Sequence, residues 1–205
     1  MNDLTEYKKE RGKIETGDLL FFSGKGHSSS IIKMMSCSPW SHVGMALRIE
    51  EWDMLMLWES TTLSNVPDFE AGVEMRGVQV VPLSERLKSY DGEVGVRPLA
   101  GVKRDKEFQE TIKQVRRGFK GRPYERSRLE LLRAAFGGFF GSNKEEDLSS
   151  IFCSELVVEA YQRLGLLSEE KPSNTWTPGE LASPMVSLLN GAYFAQFRPL
   201  IKEVE

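Results

Sequence analysis

The 205 residues contain only two cysteines and two histidines, so the search for a nucleophile and its general base is short. Cys153 lies in SSIFCSELVVEAYQRLG (149–165), whose apolar spacing predicts a helix that begins close to this cysteine. The free N–H groups and positive dipole end at a helix start favour a thiolate, and they could also hold an oxyanion. Cys153 is therefore the candidate nucleophile; the alternative is a small buried residue that packs a helix start.

His42 opens a stretch with period-two alternation, which predicts a β-strand that ends near Ile49. The chain then turns at EEWD (50–53) and returns as a second strand, MLMLWEST (54–61). A two-residue turn would place His42 and Glu59 on one face of this hairpin at diagonal separation. A three-residue turn would place them on opposite faces, so the predicted histidine–carboxylate pair depends on that register.

Glu59 is the only acidic residue in its otherwise apolar strand, and a carboxylate there must be exposed or paired. Paired with His42, it would accept the imidazole N–H and fix the tautomer, which completes a nucleophile–base–orienter set with Cys153. The alternatives are a solvent-facing glutamate and a strand-end histidine without a role. Cys-x-x-Cys and His-x-x-x-His spacings are missing, so we expect no metal and no organic cofactor.

The remaining segments predict an α+β protein with an antiparallel sheet of about five or six strands. Further strands are predicted at 17–22, 78–83, 94–99 and 193–200, further helices at 104–119 and 125–133, and a capping box in TPGE (177–180). We expect one domain over residues 1–205. Residues 1–16 are predicted to be an N-terminal arm or a short docked helix, and 134–147 a Gly/Phe and charged loop.

The composition narrows the class of protein. Against 27 Lys and Arg stand 30 Asp and Glu, and this net charge of −3 argues against a dedicated nucleic-acid binder. No apolar run approaches the ~18–20 residues that span a bilayer, and the charged start lacks the apolar stretch of a signal peptide. Two cysteines make no disulfide scaffold. We expect a cytoplasmic protein, with peripheral membrane contact left open.

Three short blocks, GDLLFF, SHVGMAL and FCSEL, resemble those of the NlpC-type cysteine amidases of the papain superfamily. In the usual members the cysteine helix precedes the two strands, whereas here it follows them. That order is similar to the circularly permuted, YiiX-like branch, whose distant cousins include lecithin retinol acyltransferase. The resemblance implies a permuted papain-like fold with the nucleophile helix packed on the sheet. It also implies a thiol hydrolase in which Cys153 is the nucleophile, His42 the base and Glu59 the orienter.

The resemblance further implies a substrate pocket, because Tyr124 in GRPYE resembles a tyrosine that lines the pocket in this branch. We predict Tyr124, Ser154 and Trp40 as substrate-binding residues, with Ser154 also helping to cap the helix. The expected substrate is a small peptide-like or lipid-like amide or ester. The acyltransferase cousins carry a histidine where this chain has Glu59, which favours amide hydrolysis. A lipid acyltransferase or phospholipase and a non-catalytic binding module remain the alternatives.

The other cysteine, the other histidine and three phenylalanines are weaker candidates for the site. Cys37 is the alternative nucleophile, but no helix follows it, so a structural or pocket-wall thiol is expected. His27 lies in the polar stretch GKGHSSS and is expected to be a solvated loop histidine. Phe136, Phe139 and Phe140 could form either core or an apolar lip that receives substrate.

Overall fold

The computed structural model describes residues 4–25, 38–120 and 144–201, and within 144–152 it describes the backbone alone. The strands, β1 to β8 in chain order, are Leu19–Gly24, His42–Ile49, Met54–Thr61, Gly77–Pro82, Gly92–Arg97, Leu99–Ala100, Tyr193–Phe194 and Arg198–Ile201. The helices, α1 to α5, are Thr5–Glu10, Leu83–Ser89, Lys106–Phe119, Lys144–Arg163 and Pro178–Ala182. None of the helices within these ranges is long and apolar enough to cross a membrane.

Six of the strands form one antiparallel sheet in the order β4-β3-β2-β1-β5-β8, and β6 pairs with β7 beside it. The predicted α+β class and the predicted number of strands are therefore confirmed. The strands that carry His42 and Glu59 are neighbours inside the sheet, which keeps both residues away from its edges.

Alternating side chains of the sheet build a core on each face. Helices α3 and α4 cover the first face, whose buried residues include Leu19, Phe21, Val43, Met45, Trp58 and Cys153. Helices α1 and α2 cover the second face, with Tyr7, Leu20, Phe22, Leu57, Leu83 and Leu87 among its buried residues. The first residues of the chain that the structure describes are thus a docked helix, one of the two predicted forms of the arm.

The β2–β3 hairpin has the register that the two-residue turn predicts, from Met45 opposite Trp58 to Ile49 opposite Met54. Its turn is a 3₁₀ turn at Glu50–Trp52, closed by a residue in the left-handed region. A Cβ at Gly44 would lie 2.6 Å from Leu57 Cδ1. Glycine at this position therefore lets β3 pack closely against the backbone of β2.

Helix α4 begins at Lys144, so Cys153 lies nine residues inside it. The prediction that the helix begins close to Cys153 is wrong, as is the predicted loop over 144–147; the preceding residues 134–143 and the predicted helix at 125–133 lie outside the described residues. Lysine and glutamate are good helix formers, and acidic residues in the first turn stabilise a helix by interacting with the positive end of its dipole. The first half of the helix is mostly polar and has no apolar stripe, so the apolar spacing could not predict that the helix begins at Lys144.

Helix α2 was not predicted. The strand predicted at 78–83 ends at Pro82, and the seven residues that follow it are helical. The predicted capping box is confirmed: the Thr177 side chain accepts from the Glu180 N–H, and the Glu180 carboxylate accepts from the Thr177 N–H. This cap fixes the start of α5, directly after Trp176, whose carbonyl accepts a hydrogen bond from Ser154 of α4.

Candidate active site

The β2–β3 register brings His42 and Glu59 into direct contact. His42 Nε2 donates to Glu59 Oε2 at 2.7 Å, the diagonal pairing that the sequence predicts for this register. Glu59 is fully buried, while the His42 side chain is 12% exposed. A solvent-facing glutamate is therefore excluded, and the imidazole ring is held with one nitrogen committed to the carboxylate.

Two buried residues that the sequence analysis missed complete the surroundings of Glu59. Arg86, on α2, donates from Nε to Glu59 Oε1 at 2.8 Å, and its Nη2 lies 2.8 Å from the same oxygen. Gln79, on β4 directly opposite Glu59, donates from Nε2 to that oxygen at 3.2 Å. Arg86 also donates to Asn65 Oδ1 at 2.6 Å. The carboxylate is thus fixed by three elements of the fold.

This environment keeps Glu59 ionised. Burial alone would raise the pKa of Glu59, but the charge of Arg86 and the hydrogen bond from His42 hold it below its ordinary value. A buried carboxylate is costly unless its partners compensate the lost hydration. Arg86 therefore lets Glu59 remain a charged acceptor for the His42 ring.

Cys153 meets His42 from the helix side. His42 is the first residue of β2, a strand that packs against α4. Burial lowers the pKa of His42, but the charge and hydrogen bond of Cys153 and those of Glu59 outweigh it and raise this pKa from 6.5 to about 9. Since Nε2 is committed to Glu59, Nδ1 is the ring nitrogen left for the Cys153 sulfur.

The position of Cys153 in α4 changes one part of the predicted chemistry. Its backbone N–H belongs to the interior of the helix, where each N–H is bonded to the carbonyl four residues earlier. This group is therefore not a free oxyanion donor, contrary to the prediction. The predicted helix-dipole effect on the sulfur is also lost, because that effect is confined to the first turn.

An aromatic ring packs against the imidazole of His42. The Phe22 ring lies 5.2 Å from the imidazole between centroids, and Tyr90 meets Phe22 edge-on at 5.0 Å. Burial raises the pKa of Tyr90 despite its hydrogen bond with Ser41, so the phenol stays neutral. These neighbours restrict the rotation of the His42 ring.

The three predicted substrate-binding residues have different outcomes. The Trp40 ring stacks on Phe197 with a centroid distance of 5.3 Å and an interplanar angle of 5°. Ser154 is buried and donates from Oγ to the Trp176 carbonyl at 2.6 Å, so it ties α4 to the next segment. Its predicted capping role is wrong, because the helix begins at Lys144.

Tyr124 lies outside the described residues, as do Cys37, His27 and the three phenylalanines Phe136, Phe139 and Phe140. Contact with substrate stays a prediction for Trp40, Ser154 and Tyr124.

Titration of His42 by NMR tests the coupling between these groups. We expect a pKa of about 9 in the wild type, and a lower value in Cys153→Ala because the largest raising cause is removed. A pKa that is raised in the folded state stabilises the fold below pH ~6.5, and this contribution is lost as the pH rises through about 9.

The assignment is simple, because the chain holds only one other histidine and His27→Asn removes its signal. A His42 pKa near 6.5 that does not respond to Cys153→Ala would contradict the contact between the two side chains.

Comparison with known proteins gives a structural neighbour. No protein-family model and no curated protein matches the chain. Among solved structures it is similar to the metalloprotein YiiX from Escherichia coli O157:H7, at 21% identity and a TM-score of 0.47. The match covers 73% of this chain and 65% of that one, so this chain spans less than two thirds of the length of YiiX.

Proposed function

We propose that this protein is a thiol hydrolase of the amidase or peptidase type, with Cys153 as nucleophile, His42 as general acid and base, and Glu59 as the residue that orients His42. The observation that carries the proposal is the 2.7 Å hydrogen bond between His42 and the buried Glu59 carboxylate, and it is supported by the charge and hydrogen bond of Cys153 that raise the pKa of His42. A strand-end histidine without a role, a solvent-facing glutamate and a cysteine that only packs a helix do not account for this set of interactions.

The reaction follows from these contacts. His42 accepts the thiol proton, and the thiolate attacks the carbonyl carbon of an amide. The imidazolium then donates its proton to the leaving amine, which leaves a thioester on Cys153. In the second half, His42 takes a proton from water as the water attacks the thioester. The acid is released and the thiol is restored.

Charge alternates along the chain of contacts when the ion pair forms. The order is thiolate, imidazolium, the Glu59 carboxylate and the Arg86 guanidinium, so each charge is compensated by its neighbour. This arrangement lowers the cost of holding charges in a buried site. The oxyanion of the tetrahedral intermediate needs donors other than the Cys153 backbone N–H.

Access to the sulfur is part of the proposal. Cys153 is 0% exposed in this structure and lies in the apolar cluster of the first face. A substrate therefore has to displace side chains that cover the sulfur before attack. The reaction also needs a reduced thiol, which is maintained in the cytoplasm, so we place the activity there.

A metal does not fit the described residues. YiiX is described as a metalloprotein, but no group of three or more potential metal ligands occurs in the part of this chain that the structure describes. Both oxygens of Glu59 are already engaged, one by His42 and the other by Arg86.

A second candidate function is acyl transfer from a lipid, or phospholipase activity, through the same Cys153 and His42. The observation that favours it is the apolar packing around the sulfur, where Leu156 and Val157 belong to the same buried cluster. A thioester on Cys153 is common to both reactions, so the acyl donor decides between them.

The test is to identify what is covalently attached to Cys153. The protein is incubated separately with a set of peptide-like amides and with phospholipid vesicles, and adducts are located by mass spectrometry after rapid acid quenching. A hydroxylamine-sensitive acyl group on Cys153 that comes from an amide supports the proposal. A fatty acyl group that comes only from phospholipid establishes the second candidate instead. No adduct from either class leaves a binding module and overturns both.

A further inference from the structure

A cavity of about 290 Å³ lies between β3, β4, the segment around residue 70 and the last turns of α3. Its apolar lining includes Trp58, Val78 and Val80. The volume is close to the lower limit of ~300–1,000 Å³ that is common for small-molecule sites. The cavity can therefore hold a short apolar body.

The rim of this cavity carries more positive than negative charge. Arg116, Arg117 and Lys120 line it from α3 and the residue that follows α3, against two carboxylates, Asp68 and Glu70. Asp68 is buried, and its oxygens accept the backbone N–H groups of Glu70, Ala71 and Val80. This carboxylate thus shapes the loop around the cavity.

Glu70 is the remaining carboxylate and is shared between two of the cations. Its two oxygens lie 2.7 Å from Arg116 Nη2 and 2.7 Å from Lys120 Nζ. The Arg117 side chain is 72% exposed, and it reaches Glu110 only at 3.9 Å. Among the described residues the rim therefore has one cation with weak compensation and two that share one carboxylate, which favours an additional anion.

Trp58 supplies the second observation. Its side chain is fully buried, and its Nε1 has no hydrogen-bond partner among the residues that the structure describes. Trp58 pairs with Val80 across β3 and β4, so the two side chains share the face on which the cavity lies. The indole N–H of Trp58 therefore reports on what occupies the cavity.

We propose that this cavity binds a small molecule with a short apolar body and one carboxylate. The apolar body lies against Val78, Val80 and the face of β3 and β4 that holds Trp58, and the carboxylate lies among Arg117 and its neighbouring cations. Binding here does not require Cys153.

Octanoate is a suitable probe, and the indole N–H signal of Trp58 is the readout. The chain has four tryptophans, so the loss of one signal in Trp58→Phe assigns it. We expect octanoate to shift this signal saturably, in the wild type and equally in Cys153→Ala. The uncharged analogue octanol should bind at least tenfold more weakly.

Two variants of α3 distinguish a built site from general charge. Arg117→Gln should weaken octanoate binding at least fivefold, because the least compensated cation is removed. Lys113→Gln is the control, since this exposed lysine lies on the same helix and does not line the cavity. Equal loss in both variants, equal binding of octanol, or no saturable shift would overturn the proposal. Because binding is measured in Cys153→Ala as well, its failure would leave the proposed hydrolysis untouched.

Discussion

Cys153→Ala should abolish turnover of a true substrate, by at least ~10³-fold in kcat/KM, while the protein keeps its fold. The side chain is small and the substitution removes only the sulfur, so packing of α4 on the sheet changes little. His42→Ala should cause a loss of similar size, because the two residues act as one unit and their effects are not additive. The measurement is hydrolysis of whichever substrate acylates the wild-type protein, with circular dichroism as the check on folding.

The chain offers matched controls for both substitutions. Cys37→Ala and His27→Ala remove the only other cysteine and the only other histidine. Both variants should retain activity within about twofold of the wild type. Full activity in Cys153→Ala, or a complete loss in Cys37→Ala instead, would show that the nucleophile is assigned to the wrong residue.

Arg86→Met should destabilise the protein by about 3–5 kcal/mol, which is the usual cost of removing one partner of a buried ion pair. Arg86 is 1% exposed and Glu59 fully buried, so the carboxylate would lose its main compensating charge and no water could replace it. The free energy of unfolding is measured by urea denaturation at pH 7. Because this energy is a large part of the ~5–15 kcal/mol that stabilises an ordinary domain, the variant should be partly unfolded at moderate temperature.

Two comparisons separate this effect from a general effect of losing an arginine. Arg163→Met breaks an exposed pair with Glu159 and should cost less than about 1 kcal/mol. The double variant Arg86→Met/Glu59→Gln removes both buried charges and should recover a large part of the lost stability, but no activity. If Arg86→Met is as mild as Arg163→Met, the ion pair does not fix Glu59 in the way described above.

The hairpin was predictable because its geometry is local. Alternation along two strands and a short turn between them limit His42 and Glu59 to two arrangements, and the side chains are on one face in only one of these. The 2.7 Å contact between His42 and Glu59 is the result of that register. A local rule was therefore sufficient to bring together two residues that are 17 positions apart.

The partners of Glu59 could not be predicted in the same way. Arg86 and Gln79 reach it from α2 and β4, and their contacts depend on the pairing of β3 with β4 and on a helix that was not predicted. The sequence does contain a signal at Gln79, a lone polar residue in the apolar run VQVV, which is the same signal that singled out Glu59. The start of α4 was missed because a polar first half carries no apolar stripe.

The most direct test of the central claim is the reactivity of Cys153 toward iodoacetamide at pH 7 in a Cys37→Ala protein, where it is the only thiol. Intact mass spectrometry follows the rate in the native protein. A reactive cysteine–imidazole pair predicts labelling of Cys153 that becomes at least ~10-fold slower in His42→Ala. A sulfur that is labelled only after unfolding, or a rate that is the same with and without His42, would contradict the account.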